Sequence, residues 1–360
     1  MFSSLGRFLR NHRRTLVVSG VIMGGAVVLW RCSRQKLLEW KQNEVQKLLQ
    51  GSRRSQHFES TERSCNQTIM NLAVCVRNSV TKSLDTEKVV NDLREGSADK
   101  IAAWNKLKVF SIARSATIIY ANTMLVATLR VQLSLMGAYM FKNYQKTLDS
   151  GSLSEQLQQK YLTLCSYFID EGIQRLSGFI ERHVEHTVSS IKLTDKLSIR
   201  DLEQIYLAII STVILDEEND PVKKLTSYML PSKVEREDDP LLKKIINETL
   251  DLLESQELQN LVQANVRTGF VALIDKISEY FIEIPFEKNG ISSLKDLEKK
   301  NGFLDINKIT MPMAKIIPII NGQVPDAPTQ NDISADWLQK LIMNEMFKSF
   351  GANIYEAFSF

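Results

Sequence analysis

All eight prolines of this 360-residue chain lie at or after Pro221. A proline inside a helix removes a backbone hydrogen bond and clashes with the preceding turn, so their absence leaves the first 220 residues open to long, unbroken helices. Residues 99–144 carry a single glycine, Gly137, and are predicted to form one helix long enough to be the axis of a bundle. Inside it, ATIIYANTMLVATL (116–129) is free of charge and bracketed by Arg114 and Arg130. Fourteen residues are too few to cross a bilayer, and a helix apolar on all sides is the buried centre of a helical domain. The same holds for 205–215. Further helices are predicted over about 57–83, 154–191, 197–215, 240–283 and 332–358. The breaks are DSGS (149–152), DEENDP (216–221), PSKVEREDDP (231–240) and PFEKNG (285–290). No alternating β-branched runs sit between turn pairs, so no sheet is expected. Residues 303–331 read as irregular, with the apolar MPMAKIIPIINGQV packed on the bundle. The fold class is therefore all-α: a single large helical bundle around a long central helix, preceded by an N-terminal transmembrane anchor.

Charge is unevenly placed. Residues 1–56 hold eleven Lys and Arg against Glu39 and Glu44, a net of +9, so a chain of net +3 leaves −6 for the rest. That balance gives no nucleic-acid signature for the body. Leu16–Trp30 is a charge-free run of fifteen residues with arginines on both sides. It would span about 22 Å, and snorkelling arginine stems could lengthen it toward a thin bilayer. A secretory signal peptide and a mitochondrial presequence share some of these features. WRCSR is a poor cleavage site, and an uncleaved anchor is the reading adopted. Gly20 and Gly24 form a G-x-x-x-G that permits close helix packing. The domains are then a basic segment (1–15), the anchor (16–30), a basic juxtamembrane helix (31–56) suited to anionic lipid headgroups, and a large helical domain (57–360).

Catalytic signatures are missing. There is no phosphate loop, no G-x-G-x-x-G, no G-x-S-x-G and no H-E-x-x-H. The cysteines Cys32, Cys65, Cys75 and Cys165 match no zinc spacing, and their scarcity suits a reducing compartment. His183 and His186 share a helix face near Glu181 and Glu185, without a third metal ligand. The chain is expected to be no enzyme, with no cofactor, no metal, no nucleic acid and no small-molecule substrate. Asn66 and Asn247 head glycosylation sequons, which matter only for a body facing a secretory lumen.

Lys100, Trp104 and Leu107 fall at i, i+4 and i+7 near the start of the long helix, with Leu93 just before the Gly96 break. A large aromatic beside a lysine stem suits an anchor pocket for an amphipathic helix. The same pattern also fits a core tryptophan flanked by a surface lysine.

Four ordered strings decide between these readings: QHFESTERSCNQTI (56–69), LRVQLSLMGAYM (129–140), AKIIPIINGQV (314–324) and ANIYEAFS (352–359). Through them the chain resembles the peroxin-3 family. The resemblance implies a peroxisomal membrane protein whose large helical domain faces the cytosol, with transit through the endoplasmic reticulum as one route. It implies docking of peroxin-19, the chaperone-receptor for new peroxisomal membrane proteins, through its N-terminal amphipathic helix. The family's groove positions match here at Leu93, Lys100, Trp104, Leu107, Met140 and Lys315. Alternatives are an adaptor for organelle inheritance or turnover, a purely structural tether, and an organelle-anchored enzyme with an unrecognised site.

Overall fold

A computed structural model describes residues 49–96, 99–146, 154–231, 239–289, 308–327, 329 and 332–359, with 144–146 and 282–289 by backbone alone. The anchor expected at 16–30 and most of its basic flanks lie outside the described residues. Two compact units divide at Met1–His57 and Phe58–Phe360, and the second holds the bundle.

Helix α1 (49–83) buries Cys65, Ile69, Ala73, Val76 and Val80, a stripe at helical spacing. Helix α2 (Thr86–Arg94) starts at Asp85, whose carboxylate accepts from the Lys88 amide. It stops at Gly96, which takes the left-handed conformation (φ 89°) that closes a helix C-terminus. Asp99 then caps α3 (Lys100–Lys146) by accepting from the Ala102 amide at 2.9 Å. At 1.5 Å per residue this 47-residue helix is about 70 Å long. Helices α1 and α2 and most later helices pack against it. All of 116–129 is buried, as expected for a core axis, although α3 by itself is long and apolar enough to cross a membrane. Close approach to α3 relies on small residues: a Cβ on Gly137 would lie 2.7 Å from Thr61 of α1.

The remaining helices are α4 (Glu155–Thr163), α5 (Ile173–Val188, entered through a π-helical turn at Phe168–Gly172), α6 (Ile199–Leu215) and α7 (Leu225–Met229). They continue as α8 (Pro240–Leu253), α9 (Gln256–Asn289), α10 (Met313–Gly322), α11 (Ile333–Ile342) and α12 (Glu345–Phe358). Three predicted helices are thus split. Ser255 and Asn344 accept hydrogen bonds from downstream amides and start new helices inside runs whose apolar periodicity reads as continuous. The expected break at 285–290 comes late, since α9 runs through Pro285 to Asn289. Residues 313–322 are helical rather than irregular, with Pro318 exposed on the outer face. Among the described residues one sheet contact occurs where none was expected: β1 (Lys196–Leu197) pairs antiparallel with β2 (Met311–Pro312).

Buried cations tie distant segments together. Arg114 donates to the carbonyls of Thr81 and Leu84 at the end of α1, and to Val324 beyond α10. Arg77 pairs with Asp332 at 2.9 Å and also bonds the carbonyls of Pro325 and Asp326. Lys108 donates to the carbonyls of Val188 (3.0 Å) and Ile191 (2.6 Å), satisfying the C-terminus of α5.

Candidate docking face at the start of the central helix

The first residues of α3 are exposed, and burial rises within its second turn. Lys100 is exposed, Ile101 is 69% exposed, and Trp104 is half-buried against the main core. Helix α2 packs on α3, and its Leu93 is also half-buried against the main core. Ile101 and Trp104 stand one turn apart, so an open apolar surface begins one residue inside the helix. Ile101 escaped the sequence reading, although its i, i+3 relation to Trp104 was visible there.

Lys315 joins this end of the bundle by backbone ties. The amides of Met313 and Ala314, in the first turn of α10, donate to the carbonyls of Asp195 (2.8 Å) and Leu193 (3.0 Å). The same loop is held by Lys108 on α3. Lys315 is exposed there, and neither it nor Lys100 has an ion-pair partner among the described residues. Lys100 sits in the first turn of its helix, where the macrodipole disfavours a cation. An acidic group laid across this end would relieve that cost.

Two expected positions fall elsewhere. Leu107 is 4% exposed and belongs to the core, so it backs Trp104 and offers no surface. Met140 lies thirty-six residues further along an unbroken helix, about 54 Å from Trp104. It stands at the opposite end of α3, beside the cluster of Phe141, Tyr355 and Phe58, and shares no groove with Trp104. A helical period places residues on one face without saying how far apart they are along the axis.

His183 and His186 gather no third potential metal ligand among the described residues. His183 Nε2 lies 3.7 Å from Asp216 and its ring meets Phe179 edge-on, and no cluster of three potential ligands occurs among the described residues. Asn66 of the first sequon accepts from Arg130 at 2.7 Å and is half-buried.

The described residues define an all-α helical scaffold in which Ile101, Trp104 and Lys100 share the start of the central helix. The peroxin-3 family model matches residues 138–357, more than half of the chain. Peroxisomal biogenesis factor 3 of Bos taurus is 31% identical over 381 residues, covering 100% of this chain and 98% of that protein. The Homo sapiens protein of the same name is 29% identical with the same coverage. Peroxisome biogenesis protein 3-2 of Arabidopsis thaliana is 22% identical, covering 81% of this chain and 86% of that protein. The chain belongs to the peroxin-3 family, and its role lies in peroxisome biogenesis.

Proposed function

We propose that the chain is a docking receptor at the peroxisomal membrane, held by Leu16–Trp30 with its helical body in the cytosol. There it takes the amphipathic N-terminal helix of peroxin-19, so that cargo membrane proteins are delivered at the bilayer. The observation that carries this reading is the pairing of exposed Ile101 with half-buried Trp104, flanked by Lys100. An apolar helix face would cover Ile101 and complete the burial of Trp104, and acidic residues on its flanks would meet Lys100 and Lys315. No bond is made or broken. The receptor acts by affinity, and the tether raises the local concentration of cargo at the membrane.

The test is calorimetric titration of the full chain, in neutral detergent, with the N-terminal helical peptide of peroxin-19. Trp104→Ala and Ile101→Asp are each expected to weaken binding tenfold or more, about 1.4 kcal/mol. Met140→Ala should leave it unchanged. Folded wild-type protein that fails to bind the peptide overturns the receptor role. If Trp104→Ala lowers the melting temperature without weakening binding, Trp104 is a core residue and the face lies elsewhere.

A further inference from the structure

The end of α3 opposite Trp104 carries a second feature. Tyr139, Lys142, Leu241, Lys244, Glu248 and Phe358 line a cavity of about 320 Å³ between α3, α8 and the end of α12. Its volume is in the range of small-ligand sites. The walls are aromatic, with the Tyr139 and Phe358 rings stacked at 6.5 Å. The Lys244 ammonium lies 6.0 Å from the Tyr139 ring centre and keeps 64% of its side chain exposed, and Lys142 is half-buried beside it. The carboxylate is already engaged. Glu248 accepts from the Tyr139 hydroxyl at 2.7 Å and lies 3.9 Å from Lys244. The lining therefore carries a net positive charge, and Leu241 (37% exposed) and Met140 (39% exposed) stand exposed at the same end.

The chain enters this body at the same end. Phe58, the first residue of the compact unit, packs on Tyr355 at 5.2 Å, and Tyr355 packs on Phe141 at 6.2 Å. Tyr139 and Phe141 belong to one turn of α3, and Tyr355 and Phe358 to one turn of α12. The sequence leading into Phe58 holds the charge-free run at 16–30 and the +9 basic excess. A chain end that brings a bilayer to this place would set a cavity with lysines, aromatic walls and apolar neighbours against lipid headgroups. Basic groups near an anionic leaflet are drawn to its headgroups.

We infer that this cavity is a headgroup site for an anionic phospholipid. Lys142 and Lys244 take the phosphate, while Leu241 and Met140 meet the glycerol and the first methylenes. The inference rests on the membrane reading of Leu16–Trp30.

The full-length protein, in neutral detergent, is titrated separately with dioctanoyl phosphatidic acid, dioctanoyl phosphatidylcholine and inorganic phosphate. Phosphatidic acid should bind at least tenfold more tightly than either of the others. The Lys142→Gln/Lys244→Gln double variant should lose that tenfold with an unchanged melting curve, and the Lys→Arg pair should retain it. Equal binding of inorganic phosphate means a free-anion site, and equal binding of phosphatidylcholine means no charge selection. Either result overturns the inference, as does binding that survives the Gln pair. The membrane reading is checked apart from this, by alkaline extraction of the protein from vesicles. Release into the alkaline wash defeats the anchor, while the titration alone decides the cavity.

Discussion

Arg114 donates to the Asp326 carboxylate at 2.7 Å, joining residues 212 positions apart in the chain. Its guanidinium also holds the last carbonyls of α1, so one buried side chain closes a helix and fastens the segment that follows α10.

Arg114→Ala should therefore cost far more than its partner. Arg114 keeps 1% of its side chain exposed while Asp326 keeps 37%. Removing the arginine strands buried carbonyls as well as the carboxylate, for a loss of about 3 kcal/mol or more. Asp326→Ala removes only a partly solvated partner and should cost about 1 kcal/mol or less. Urea denaturation of the two variants, compared by midpoint at equal slope, checks the difference.

The described cysteines should separate by reactivity. Cys75 is exposed, whereas Cys65 and Cys165 are buried. Burial pushes the Cys65 thiol up to about 11 and the Cys165 thiol up to about 12. The thiolate is the reactive form, so both are held inert. In a Cys32→Ser background, iodoacetamide at pH 8 should modify Cys75 alone until denaturant is added. Modification of Cys65 in the folded protein would contradict the packing of α1 on α3.

Acid should weaken the fold through His183. Burial, opposed in part by Asp216, holds its imidazole below the usual 6.5. The unfolded chain then takes up the proton first as pH falls. Stability at His183 is fully present above 6.5 and is lost on acidification from there toward the depressed native value. Thermal unfolding at pH 7.5 and 5.5 should show a smaller drop for His183→Gln than for wild type. An equal drop places the acid sensitivity elsewhere.

The central helix was legible because residues 99–144 hold no proline, and its charge-free middle, fourteen residues long, was too short to span a bilayer and so was expected in the core. The interruptions were not. Ser255 and Asn344 act as caps only because downstream amides turn to meet them, a choice that apolar periodicity does not encode. The pairing of Lys196–Leu197 with Met311–Pro312 was invisible, since two residues per strand leave no alternation to read. For the proposed docking face, Trp104 and Lys100 came from spacing along one helix. Lys315 came only from family likeness, and its arrival at the same end depends on bonds to the 193–195 loop.

An uninterrupted α3 also separates the electrostatics of its two ends. Trp104 and Met140 stand about 54 Å apart along the helix, and through the surrounding solution that is several times the screening length of about 8 Å at physiological ionic strength. Salt or lipid charge acting near Lys142 and Lys244 is lost in the ionic atmosphere before it reaches Lys100. Each end can therefore meet a different ionic setting without detuning the other.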